Sequence, residues 1–377
     1  MKIENVIILR DGKAANVAVD VYAENGVIKE IAERGLPDSD TLYATAGFVD
    51  EHTHGGYGMD YFAATQEAAD AVGKFHLDNG TTSYVATSVA TKLGDLDRQI
   101  SEIRKLKNRF SDMIGLHMEG PFINVGKKGA QPEENIKTVF EDEDAEFFVK
   151  NKDMIRIVTL CPHTARSVQL VKCLKSCGII ANAGHDGSIY PEIIACVEAG
   201  LDAATHVYCA SSGLGRRKGD LTKYIGLNET ALLDSRIMTE VIADDMHISE
   251  PLFRFIYKNK GYRKIMLVSD SLSAAGMPVG TYKLGRDIDV YNNGKVALLA
   301  DFSALAGSIT PVSKMVEIVA SYGVPVAEAV YMGNQAPCAH LGLTDRDVIA
   351  VGKRADICLL DGAARLQAVY QQGRRII

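Results

Sequence analysis

Between residues 47 and 270 the chain repeats one pattern, a short apolar run followed by a stretch with helical spacing, and this repetition constrains the fold more than any other feature. Eight runs stand out: Gly47–Asp50, Ser83–Ser88, Met113–His117, Ile155–Leu160, Ile179–Ala183, Ala203–Thr205, Val241–Ala243 and Ile265–Ser269. Each is too short for a stable helix, whereas Thr65–Asn79, Gly94–Phe110, Ala165–Ser176 and Tyr190–Ala199 between them carry helical periodicity. Parallel neighbours in a sheet need a helical crossover, so this alternation predicts an α/β chain with a parallel sheet. Eight such units in this span match a (β/α)8 TIM barrel, a fold of about 250 residues.

The two ends of the chain read differently. Lys2–Leu9, Ala15–Ala23 and Gly26–Ile31 look like short strands separated by Asp11-Gly12 and Asn25-Gly26, dipeptides that favour tight turns. Ala355–Leu360, Ala368–Gln371 and Arg374–Ile377 repeat this character around Asp361-Gly362 and Gly373. Terminal segments of like character commonly pair, which predicts a small β domain, a β-sandwich, from 1–46 plus 348–377 beside a barrel of 47–347. A hairpin insert, Tyr282–Leu299 with Asn293-Gly294 at its turn, follows the eighth run, then helices over Pro311–Ser321 and Pro325–Met332.

Composition narrows the class. Of 377 residues, 47% are hydrophobic and 24% charged, which rules out wholesale disorder. The longest apolar runs, such as Ile265–Val268, fall far short of the roughly 20 residues of a membrane span. A net charge of −7, with neither a basic tail nor tryptophan, predicts no nucleic-acid partner and no membrane partner. The opening MKIENVIILRDGK turns polar too early for a secretory signal, and the seven cysteines contain no CxxC pair. Reduced thiols in a cytoplasmic enzyme are the expectation.

The histidines carry the chemistry. His52 and His54 follow the first run, Glu119 ends the third, His185 the fifth, His206 the sixth and Asp270 the eighth, while His247 lies in the loop after the seventh. The C-terminal strand ends of a barrel converge on one mouth, so these residues would share a small volume. Residues two apart on a strand share a face, which suits His52 and His54 to joint ligation. Imidazoles with a carboxylate suit a divalent metal, Zn²⁺ or Fe²⁺ first, with Mn²⁺, Co²⁺ and Ni²⁺ tolerated. Asp270 fits either a helix N-cap or a general base, and the two roles are compatible. Lys127-Lys128 and Arg216-Arg217-Lys218 are cationic spots on the mouth side, suited to a phosphate or carboxylate or simply to solvent. Gly213–Gly219 lacks both nucleotide-loop spacings. Cys209 has no partner that would activate a thiol and reads as a small hydrophobe, and Met59 and Met118 read as packing.

With these residues in view, the chain resembles the N-acetylglucosamine-6-phosphate deacetylases of the amidohydrolase superfamily over essentially its whole length. The markers are GFVDEHTHGGYG (47–58), LHMEGPFINVGKKGA (116–130), NAGHDGS (182–188), ATHVYCA (204–210), IADDMHIS (242–249), LVSDSLSAAGMPVG (267–280), LAGS (305–308) and VGKRADICLLD (351–361). The resemblance implies hydrolysis of the acetamide of N-acetyl-D-glucosamine 6-phosphate to D-glucosamine 6-phosphate and acetate, by a metal that polarises the carbonyl and supplies hydroxide. It implies Glu119, His185 and His206 as ligands of one metal, and His52 and His54 as ligands of a second, with Glu119 bridging and Asp270 close by. One or two metals per subunit fit this pattern. Asp270 would serve as general base and then acid. His247 would contact a sugar hydroxyl, Gln131 the substrate, and the backbone at Cys209 and Ala210 the phosphate. Arg217 would reach the phosphate from the partner subunit of a homodimer.

Three departures lie on the substrate side. The family's histidine after Gly-Ala is Gln131 here, its Tyr-Asn-Ala is Tyr208-Cys209-Ala210, and its Arg-Glu-Pro-Gly loop is Arg217-Lys218-Gly219-Asp220. Gln131 and Cys209 keep open other N-acyl or cyclic amides as substrates, and the galactosamine epimer is an alternative that sequence alone does not separate. A silent binding or assembly protein is the reading from another class. Such relatives usually lose metal ligands, whereas this chain keeps all five positions and Asp270.

Overall fold

Eight parallel strands follow one another in chain order around the molecule: Phe48–Thr53, Thr81–Ser88, Asp112–Glu119, Ile155–Leu160, Ile180–Ala183, Ala203–Ala204, Met238–Val241 and Ile265–Leu267. The last is brought back to the first by a parallel bridge between Thr53 and Ser271, with Asp270 N–H donating to the His52 carbonyl at 2.8 Å. The computed structural model describes residues 1–216, 221–285 and 287–377. Local sequence explains the crossovers. Gln66–Asp78 begins at Thr65, whose hydroxyl accepts from Ala68 N–H, and Tyr190–Ala199 carries Pro191 in its first turn. The latter helix stops at Gly200, whose φ of +111° suits a residue without Cβ.

Inside the barrel the strands begin on an apolar layer. Val49, Val85 and Ile157 pack with Cys338 and Leu341, and Ala203, Met238 and Met266 pack with Ala336. Cys338, Leu341 and Ala336 belong to a short helix, Gln335–Leu341, which closes the lower end. Above this layer the interior turns polar. His117 Nε2 lies 2.7 Å from Thr159 Oγ1, which lies 2.7 Å from Thr205 Oγ1, and His117 Nδ1 lies 3.3 Å from Thr87 Oγ1.

The termini pair as expected. Lys2–Arg10, Ala18–Glu24 and Val27–Gly35 join Ile357–Leu360, Leu366–Gln371 and Arg374–Arg375 in one hydrogen-bonded path. Leu42–Ala46 links the two halves, parallel to Lys2–Arg10 and antiparallel to Ile357–Leu360. A core of Ile3, Val21, Ile28, Ile357 and Leu359, separate from that of the barrel, fills this β-sandwich domain.

Several boundaries differ from the sequence expectation. The seventh strand is Met238–Val241 rather than Val241–Ala243, because the ladder includes the buried Glu240, whereas Ile242 and Ala243 continue the apolar run beyond it. The helix expected over Gly94–Phe110 spans Leu93–Ile103. The insert is a four-stranded antiparallel sheet, Gly280–Leu284, Ile288–Asn292, Ala297–Leu299 and Leu305–Gly307, rather than one hairpin. Its turn at Asn293-Gly294 is where expected, with Gly294 at φ +89°. Among the described residues no helix is long and apolar enough to cross a membrane.

Candidate active site

The strand ends deliver their polar residues to one place. In the first strand the ladder slips between Asp50 and Thr53, so that His52 and His54 face the barrel while Thr53 turns outward to His76 Nε2 (3.0 Å) and Ser271 Oγ (2.8 Å). Glu119 closes the third strand and is buried. Just past their strands, His185, His206 and Asp270 adopt φ of +45°, +26° and +45°. This left-handed backbone is uncommon for residues other than glycine and clusters at functional sites, where it re-aims a side chain.

Glu119 is the centre of the arrangement. Its Oε1 lies 2.9 Å from His185 Nε2, 2.8 Å from His206 Nε2 and 3.5 Å from His52 Nε2, and its Oε2 lies 3.3 Å from His54 Nε2. Asp270 Oδ1 lies 3.2 Å from His54 Nε2 and 3.6 Å from His52 Nε2. Two groups suited to a metal follow, His52 with His54 and Glu119, and Glu119 with His185 and His206, the ligand atoms of each lying within 4.8 Å of one another.

The electrostatics fit a cation. Burial disfavours a charged imidazole, yet the Glu119 and Asp270 carboxylates outweigh it, holding His52 well above its ordinary range and raising His185. His54, closest to Asp270, is pushed up to about 9. Burial likewise opposes ionised carboxylates, but His52 and His185 hold Glu119 well below the usual range, and His54 and His52 lower Asp270. A field that draws protons onto these rings also draws a divalent metal to the same lone pairs. His52 Nε2 is buried without a hydrogen-bond partner while facing two carboxylates, as a metal ligand would. His117, deeper in the barrel, is held neutral by burial and serves the threonine ladder instead.

A cavity of about 380 Å³ opens above these groups, lined by His54, Glu119, Gln131, His185, His206, Cys209, Ala210, His247 and Asp270, with the Ala304–Gly307 segment on its far side. Gln131 is gripped at both ends, its Nε2 donating to Glu119 Oε2 and its Oε1 accepting from Ala90 N–H, each at 2.6 Å. His247 is held by Asp244, whose Oδ2 lies 2.8 Å from Nδ1 and whose Oδ1 accepts two backbone N–H groups, turning Nε2 toward the cavity. Burial, then the nearby Asp270 and Asp244, push the Cys209 thiol up, which agrees with its reading as a small hydrophobe. Ala210, at φ +51°, accepts from Asp186 N–H at 3.0 Å. Lys127 lines the wall, and its carbonyl oxygen lies 2.9 Å from His185 Nδ1. Arg217 lies outside the described residues.

Two polar residues of the site escaped the sequence reading. Asp244 sits in IADDMHIS three residues before His247, a spacing that could have suggested the pair. Glu240 lies in TEVIAD, a lone carboxylate within an apolar strand, and its Oε2 lies 3.0 Å from His52 Nδ1.

Comparison with known proteins agrees with this geometry. The Amidohydrolase family profile matches residues 43–375. An N-acetylglucosamine-6-phosphate deacetylase of Bacillus subtilis (strain 168) is 30% identical over 364 residues, 93% of this chain and 87% of that protein. An N-acetylgalactosamine-6-phosphate deacetylase of Escherichia coli O157:H7 is 28% identical over 345 residues, 90% of this chain and 89% of that protein. Among solved structures, a variant of the Mycobacterium smegmatis N-acetyl-D-glucosamine-6-phosphate deacetylase in complex with N-acetyl-D-glucosamine-6-phosphate superposes with a TM-score of 0.90 at 26% identity, covering 100% of this chain and 99% of that one. The barrel, the two His/Glu groups sharing Glu119 and the match along nearly the whole chain lead to one conclusion: this protein belongs to the amidohydrolases, and within them to the N-acetylglucosamine-6-phosphate deacetylase family.

Proposed function

We propose that this chain hydrolyses the acetamide of N-acetyl-D-glucosamine 6-phosphate, releasing D-glucosamine 6-phosphate and acetate. The observation that carries the reading is the convergence of four imidazoles on Glu119, with the Asp270 carboxylate beside them at the floor of a sugar-sized cavity. Glu119, His185 and His206 would hold one divalent metal, and His52 and His54, with Glu119 shared, a second. Zn²⁺ and Fe²⁺ suit these nitrogen and oxygen donors best. A metal held there supplies Lewis-acid polarisation of the acetamide carbonyl and lowers the pKa of water.

The chain's own residues move the protons. Asp270 accepts a proton from the attacking water as the oxygen bonds to the carbonyl carbon, then returns it to the nitrogen as the C–N bond breaks. Products are the free amine and acetic acid, which gives its remaining proton to solvent to become acetate, so one carboxylate serves both steps. Gln131 braces Glu119 against the Ala90 backbone. His247, held by Asp244, presents Nε2 to a sugar hydroxyl. The backbone at Cys209 and Ala210 frames the phosphate, and Arg217, reaching in from the partner subunit of a homodimer, neutralises it. The catalytic machinery is assigned to 47–347, with 1–46 and 348–377 forming the companion domain.

The galactosamine epimer is the second reading, favoured by the similarity to the Escherichia coli enzyme. Acetate release from both 6-phosphates and from unphosphorylated N-acetylglucosamine tests the proposal. Phosphate-dependent turnover, abolished by a chelator and restored by metal, is expected, with Arg217→Ala raising KM for the phosphorylated sugars. Silence on all three sugars, with metal verified in the protein, would overturn it.

A further inference from the structure

The four imidazoles of the mouth are not held alike. His54 Nδ1 lies 3.1 Å from the carbonyl oxygen of Thr87, His185 Nδ1 2.9 Å from that of Lys127, and His206 Nδ1 3.1 Å from that of Cys209. Each of these rings donates Nδ1–H to a neutral backbone acceptor and turns Nε2 toward Glu119. His52 alone has a charged group on that side, with Glu240 Oε2 at 3.0 Å from Nδ1.

Glu240 lies on Met238–Val241, is fully buried and is absent from the cavity wall. A buried carboxylate requires compensating donors, and this one has three. Besides His52, its Oε1 accepts from Asn182 Nδ2 at 3.0 Å and its Oε2 from His206 N–H at 3.3 Å. These partners belong to three different parts of the barrel wall, so the carboxylate is fixed and the His52 ring with it. The His52 Nε2 lone pair is thereby aimed at the space between Glu119 Oε1 and Asp270 Oδ1, 3.5 Å and 3.6 Å away. Glu240 also touches His206, but through a backbone N–H that contributes nothing to the donor strength of its ring.

We propose that Glu240 is a positioning residue of the metal centre, fixing the tautomer and plane of His52 and strengthening the His52/His54 half of the centre over the His185/His206 half. This role presupposes the metal centre proposed above. A carboxylate on Nδ1–H raises the basicity of a ligating imidazole beyond what a neutral carbonyl provides. A negative charge in the buried layer below the ligands also favours a cation above it.

The test measures metal affinity without substrate. Full-length protein is stripped of metal and titrated with Zn²⁺ against a chromophoric chelator, with thermal unfolding of the metal-free forms run in parallel. Two backgrounds separate the halves: His185→Ala keeps the His52, His54 and Glu119 group whole and breaks the other, and His54→Ala keeps the Glu119, His185 and His206 group whole and breaks the first. Glu240→Gln keeps the shape and removes the charge. It is expected to weaken Zn²⁺ binding about 10–100-fold in the His185→Ala background and about threefold or less in the His54→Ala background. Equal losses in both backgrounds, or no loss in the first, overturn the role. If Glu240→Gln does not fold, Glu240→Asp carries the same comparison, because its carboxylate is withdrawn from His52 by one methylene. Wild-type protein that takes up no Zn²⁺ overturns the metal centre itself. Uptake by wild type with Glu240→Gln unaffected overturns only the role of Glu240.

Discussion

The two ends of the barrel are built from the same eight strands and differ in almost every other respect. At the lower end Val49, Val85, Ile157, Met238 and Met266 pack against a short helix, whose His340 makes a buried pair with Glu51 of the first strand, Nδ1 to Oε2 at 2.9 Å. At the upper end four imidazoles and two carboxylates crowd together, three of the six on left-handed backbone. Burying apolar area stabilises the fold, whereas taking ionisable groups out of water and straining backbone opposes it. The lower end therefore supplies the stability that lets the upper end hold an arrangement suited to chemistry rather than to folding.

This division can be broken by substitution. Asp270→Asn should lower kcat by about 10²–10⁴-fold, the range of a lost general acid–base, while metal content and thermal unfolding change little. Near-normal kcat in a metal-loaded Asp270→Asn variant would remove Asp270 from the proton path. Ile157→Ala, a truncation at a fully buried site, should destabilise by about 2–5 kcal/mol in denaturant unfolding, with kcat unchanged at temperatures where it is folded. A fall in kcat there would mean that the two ends are coupled.

Thr159→Val probes the boundary between them. It leaves His117 Nε2 buried without its 2.7 Å partner, so a loss of about 1–3 kcal/mol is expected, with a small fall in kcat/KM. The smallest effect is expected furthest from the reacting bond. Asp244→Asn should loosen His247 and raise KM for the phosphorylated sugar by about three- to tenfold, on the order of 1 kcal/mol, with kcat nearly unchanged. A matching fall in kcat would move His247 from sugar binding into the chemical step.

The same contrast explains what could be read from the sequence. Strands with apolar inward faces announce themselves, and Ile155–Leu160 and helix Tyr190–Ala199 have the bounds that their patterns predict. The site residues were legible because each follows an apolar run, where a polar residue is conspicuous. The middle layer was not, since Thr87, Thr159 and Thr205 look like ordinary strand threonines and His117 falls inside an apolar run with nothing to mark its partners. Glu240 was passed over for a related reason: a charge inside an apolar run displaced the expected strand toward Val241–Ala243. Leu42–Ala46, which joins the two halves of the terminal sheet, lacks a turn dipeptide to frame it.

The positive φ values of His185, His206 and Asp270 have a bearing on how such a chain can change over generations. Each residue sits where glycine would be more comfortable, at a cost on the order of 1–3 kcal/mol per position. A change to glycine at His185 or His206 would relieve the backbone but take a partner from the buried Glu119 carboxylate, so strain and charge pull such a change in opposite directions. A lineage sheds either histidine at little cost only if the Glu119 charge goes with it.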